Sequence, residues 1–136
     1  MKKLWIFVMI AMPSLHGKEL DSFSEISNAL MGGNNIRMVV QTDNCSSPGK
    51  SDYSFFIEAS GVMIRPTYVQ FANTHLTTNY PGFEKLPLLE NVTYKISDEG
   101  EVHIMIRVFT LPDYQMKSEY SMICILGHSA KIYTNE

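Results

Sequence analysis

The chain has 136 residues, a formal net charge of -3, 45% hydrophobic and 18% charged residues, two cysteines and one tryptophan. A chain of this size holds one domain with one modest core, which excludes a large multi-site enzyme or a membrane transporter. Its acidic balance, with no stripe of Lys and Arg, excludes a nucleic-acid binder that works by neutralising phosphates.

The first element in chain order is a leader. Lys2 and Lys3 are followed by an apolar run from Leu4 to Met12, a break at Pro13 and a small residue at Gly17, the order of a secretory signal. This predicts a signal peptide over 1–17 and a single domain over 18–136. The alternative is a buried N-terminal strand. The run is well short of the roughly 20 residues a membrane helix needs, and no later stretch is longer, so no membrane span is expected. No cysteine directly follows the leader, so no lipid anchor is expected either. Removal of 1–17 takes away Lys2, Lys3 and Trp5 but no carboxylate, and the formal charge moves from -3 to -5. The expected location is across the inner membrane, in the periplasm or outside the cell.

Export bears on Cys45 and Cys124, the only two cysteines. An oxidising compartment favours a disulfide between them. Their separation of 79 residues would close a loop worth about 4–5 kcal/mol in the chain-entropy model. The alternative is two buried free thiols.

Next comes one helix. Ser22 and Glu25 have capping-box spacing, Phe23, Ile26, Ala29 and Leu30 make an apolar stripe, and Gly32-Gly33 ends it. The pattern predicts a helix over about 20–31. The remainder reads as strands. Ile36, Met38 and Val40 alternate with polar residues; a polar loop over 43–52 holds Cys45; strands follow over 53–65, interrupted by Gly61, and 67–78. Val92, Tyr94 and Ile96 then face Ile106, Ile104 and Val102 across the hairpin loop Asp98-Glu99-Gly100. Pro112-Asp113 marks a turn, Tyr120, Met122, Cys124 and Leu126 share a face, and Lys131 to Tyr133 forms a short last strand. The expected fold is mainly β (α+β): one N-terminal amphipathic helix packed on an antiparallel meander, as a strongly bent sheet or small barrel of about six to seven strands.

Chemistry-bearing patterns are few. The sequence has no nucleophile elbow, phosphate loop, His-Glu-x-x-His or paired Cys-x-x-Cys, and no cofactor or metal is expected. His103 falls on the face opposite Val102 and Ile104 and is expected to be exposed. Asn91-Val92-Thr93 and Asn44-Cys45-Ser46 match the glycosylation triplet, a pattern that also arises by chance. The segment Phe71 to Thr77 departs from strand alternation because both of its faces carry polar groups, and such departures are where function or strain is expected. Asn73, Thr74, His75 and Thr77 are therefore the candidate binding residues; the alternative is an edge strand or an internal hydrogen-bond network. A Cys–His pair using His75 requires a free thiolate, which a disulfide would remove.

Several of these segments together resemble the VirK family of small exported bacterial proteins. They are the leader, Ala29-Leu30-Met31-Gly32-Gly33, the Cys45 loop, Phe71-Ala72-Asn73-Thr74-His75-Leu76-Thr77, Asp98-Glu99-Gly100 and Cys124-Ile125-Leu126-Gly127. Leu76 stands where the family pattern suggests phenylalanine. The resemblance implies bacterial export and an association with virulence or host contact, and it carries over no catalytic residues. The functional expectation is a non-enzymatic exported module that binds a host or envelope partner. The alternative is a small β-barrel carrier of an apolar ligand, with Tyr94, Ile104 and Met122 lining its cavity. A hydrolase using His75 is the third reading.

Overall fold

Strands with one apolar face must bury it against another layer, and here two sheets do this for each other. The computed structural model describes residues 17–49 and 52–135. The elements are β1 (Lys18–Leu20), α1 (Phe23–Met31), β2 (Ile36–Gln41), β3 (Ser54–Glu58), β4 (Met63–Ile64), β5 (Tyr68–Thr77), β6 (Leu88–Ser97), β7 (Glu101–Thr110), β8 (Met116–Ile125) and β9 (Ala130–Thr134). Most of the leader lies outside the described residues, so the fold neither places nor tests it.

Strands β4 to β8 form the antiparallel meander, in the order β4-β5-β6-β7-β8. The β6–β7 hairpin has the register that the alternation dictates, Ile96 opposite Val102, Tyr94 opposite Ile104 and Val92 opposite Ile106. Gly100 takes the left-handed conformation of the turn, with φ +83°. The face bearing Val69, Phe71, Tyr94, Ile96, Ile104 and Met122 is buried. Its neighbour residues point outward: His103 is exposed and lies 2.9 Å from the Glu101 carboxylate.

The other sheet runs β1-β9-β2-β3 and differs from the single curled sheet expected. The last strand is not peripheral, because β9 lies between β1 and β2 and pairs antiparallel with both. Ile36, Met38, Val40, Ala130 and Ile132 turn inward and are buried. Among the described residues the two sheets do not join into a closed barrel. The break falls where β4 is only two residues long and is flanked by Gly61, at φ +60°, and Pro66, which donates no ladder hydrogen bond.

The helix begins at Phe23, later than the expected start near residue 20. Leu20 belongs to β1, where it is buried opposite Ile132, and Ser22 is the cap. The Ser22 hydroxyl accepts from the Glu25 amide at 3.2 Å, and the Glu25 carboxylate accepts from the Asp21 amide at 2.9 Å, one residue earlier than a strict capping box. At the other end Gly33 has φ +84°, and Asn34 N–H bonds Ala29 C=O while Gly33 N–H bonds Leu30 C=O, a Schellman closure. Ile26 is the helix residue that is fully buried.

The sulfurs of Cys45 and Cys124 are 2.07 Å apart, at disulfide distance. Beside them Ser46 and Ile123 exchange two backbone hydrogen bonds at 2.8 Å. Together these contacts tie the loop after β2 to β8 at the edge of the other sheet.

Candidate functional site

Unequal strand lengths create the site. Strands β5 to β8 are ten residues each, whereas β2, β3 and β9 have five or six. The inward face of the longer sheet changes character along its length. A row of Phe71, Tyr94, Ile104 and Met122 gives way to Asn73, Val92, Ile106 and Tyr120, then to His75, Glu90, Val108 and Ser118. Where these mixed rows run out beside β3, a cleft of about 780 Å³ opens. Its far wall is β3 from Phe55 to Glu58, together with Tyr53, Tyr80 and Pro81.

Aromatic rings build the walls. Tyr94 stacks on Phe71 with centroids 4.9 Å apart and lies 6.3 Å from Phe55. The hydroxyls of Tyr53 and Tyr120 share a 2.6 Å hydrogen bond. The Asn73 carbonyl oxygen Oδ1 is buried and has no hydrogen-bond partner. His75 Nε2 lies 3.4 Å from Glu90 Oε1; the histidine side chain is 58% exposed and the glutamate 17%.

These surroundings hold the phenols protonated. Burial pushes Tyr94 well above the usual phenol range, with Glu90 and Tyr53 adding to the effect. Tyr120 is raised by burial and then by its bond to Tyr53, and Tyr80 by burial and then by Glu90. A raised phenol pKa means that the folded state holds its proton more tightly than the unfolded chain. The resulting stability is complete below the ordinary value of 10.0 and is lost as pH rises above it. Spectrophotometric titration should therefore show Tyr80, Tyr94 and Tyr120 ionising at higher pH in the native protein than in denaturant. Native and denatured titration curves that coincide would contradict this environment.

The cleft does not gather all four candidate residues. Asn73 and His75 point into the cleft, as their shared strand face requires. Thr74 borders it, but its hydroxyl accepts from Asn91 Nδ2 at 3.0 Å. Thr77 lies beyond the cleft and accepts from the Asn79 amide. Of the three residues expected to line a cavity, Tyr94 does so, whereas Ile104 and Met122 are fully buried in the core. With both sulfurs in the bridge, neither cysteine is available as the thiolate a Cys–His pair needs. Among the described residues no three His, Cys, Asp or Glu side chains converge as a metal site, and no helix is long and apolar enough to cross a membrane.

Glu90, which is not among the residues expected from the sequence, joins Asn73 and His75 in the cleft. It occupies the inward phase of Leu88, Glu90, Val92, Tyr94 and Ile96, so a carboxylate interrupts an otherwise apolar face. Starting the strand at Val92 hides it. Tyr53, Tyr80 and Tyr120 come from distant segments, and no local pattern brings them together.

Comparison with known proteins places this geometry in a family. The VirK protein family model matches residues 19–114. A curated relative, uncharacterized protein y4wH from Sinorhizobium fredii (strain NBRC 101917 / NGR234), is 26% identical over 124 residues, covering 86% of this chain and 83% of its own length. The crystal structure of lpg1832, a VirK family protein from Legionella pneumophila, superposes with a TM-score of 0.80 at 25% identity, covering 85% of this chain and 98% of that one. The family match over most of the chain and the shared fold agree: this chain belongs to the VirK family.

Proposed function

We propose that the protein is an exported, virulence-associated binding protein without catalytic activity, and that it takes a ligand with an apolar body into the cleft between β3 and the β5–β8 face. The ligand is a component of the host or of the cell envelope. The observation that carries this reading is the cleft itself. It is of ligand size, its walls are aromatic and aliphatic, and a few inward polar groups, Asn73, His75 and Glu90, stand at one end. Export is supported by the Lys2-to-Gly17 pattern and by a cysteine pair at disulfide distance, which an oxidising compartment favours. VirK membership supports the virulence setting. Two of the four candidate binding residues, Asn73 and His75, serve this cleft directly, so the partner surface and the apolar cavity weighed from the sequence become one site.

A neutral fluorescent probe tests the reading. N-phenyl-1-naphthylamine should brighten saturably with the wild-type protein and stay dark with Val92→Trp, whose indole would fill the floor between Asn73 and Ile106. A dark wild type, or an equally bright Val92→Trp, would overturn it.

A further inference from the structure

The polar groups of the cleft select among ligands, on the reading that the cleft binds one. We propose that the ligand is an amphiphilic amine, with its ammonium group on Glu90 and Asn73 Oδ1 and its apolar body against Phe55, Tyr94, Val92 and Ile106.

The cleft is rich in acceptors and short of cations. Glu58 and Glu90 line it, no lysine or arginine does among the described residues, and the Asn73 carbonyl oxygen is buried without a donor. A buried acceptor left unmatched is costly, and a charged donor gives it a stronger hydrogen bond than a neutral one. Glu90 is mostly shielded from water, so its charge acts through a medium that screens it less than bulk solvent does. The Tyr80, Tyr94 and Tyr120 phenols all feel that negative field. Ring faces add to it, because aromatic quadrupoles attract a cation that comes within about 6 Å. A carboxylate ligand would meet Glu90 and Glu58 with like charge. A neutral alcohol would satisfy Asn73 but add no charge partner to Glu90, leaving it with His75 alone. His75 is the protein's own partner for Glu90, at 3.4 Å, but its largely exposed ring can swing outward. The ligand cation takes its place.

The apolar wall and the charged end sit on the same strands. On β6, Glu90 precedes Val92 and Tyr94 on one face, so an ammonium at Glu90 directs an attached chain toward the aromatic end. A hydrophilic polyamine would leave that half of the cleft unused.

Calorimetry on the oxidised protein with three octyl compounds tests the proposal. Octylammonium should bind at least about tenfold more tightly than octan-1-ol, and octanoate most weakly. Glu90→Gln should lower octylammonium affinity to that of the alcohol while the near-UV circular dichroism stays unchanged. His75→Ala should keep the preference for the amine. If octan-1-ol equals octylammonium in the wild type, or octanoate binds best, the amine proposal is overturned and the cleft reading survives. The same holds if no octyl compound binds while N-phenyl-1-naphthylamine still does. If the naphthylamine also fails, both fall. The wild-type comparison decides the matter even if Glu90→Gln does not fold.

Discussion

Replacing both cysteines, as Cys45→Ser with Cys124→Ser, is expected to destabilise the protein by about 4–5 kcal/mol. The bridge spans 79 residues, so it removes many conformations from the unfolded chain. In the folded state it joins the loop after β2 to β8, across two sheets that are tied beside it by the Ser46–Ile123 backbone pair. A domain of this size has a total of roughly 5–15 kcal/mol, so the loss consumes much of the margin. The double variant is the informative one, because a single replacement leaves an unpaired thiol that can cross-link. Urea unfolding of the oxidised wild type against the double variant measures it, and reduction of the wild type should reproduce the variant. A loss below about 1 kcal/mol would mean that the bridge closes little loop entropy in the real denatured ensemble.

Ile104→Ala is expected to cost about 2–5 kcal/mol. Ile104 is 0% exposed in β7 and sits between Tyr94 on β6 and Met122 on β8, so truncation leaves a cavity that three strands cannot close by small shifts. Leu76→Ala is the control: its side chain is 63% exposed on the outer face of β5, and its expected cost is within about 0.5 kcal/mol. The contrast tests register as well as packing, since a slip of one residue would exchange the inward and outward faces. Equal costs at the two positions would contradict the assigned faces.

Local chemistry made some of this architecture readable from residues alone. The cap at Ser22 and the stop at Gly33 are short-range signals, and both stand in the structure. The β6–β7 hairpin follows because three apolar pairs and one turn glycine admit a single register. The partnership of β9 with β1 and β2 is different. It joins Lys18 to Thr134 and Ile36 to Thr134, and nothing in a three-residue strand such as Lys18–Leu20 announces a partner so far along the chain. The separation into two sheets rests on those same pairings.

The site divides in the same way. Asn73 and His75 stand out because a strand that is polar on both faces breaks its own alternation. Glu90 carries an equally clear local sign, a charge in the apolar phase of β6, opposite His75. The cleft as a space is invisible in sequence, since it arises from the difference in length between two sheets. Tyr53 and Tyr120, bonded across it, are 67 residues apart.

The central claim is that the cleft between β3 and the β5–β8 face is where this protein binds. Amide NMR titration of the oxidised protein with octylammonium, and with octan-1-ol in parallel, tests it most directly. The account predicts that the largest shifts fall on Asn73 to His75, Glu90 to Tyr94, Tyr53 to Glu58 and Tyr120, with α1 undisturbed. Shifts centred on α1 or on the outer sheet faces, or none with either compound or with N-phenyl-1-naphthylamine, would contradict it.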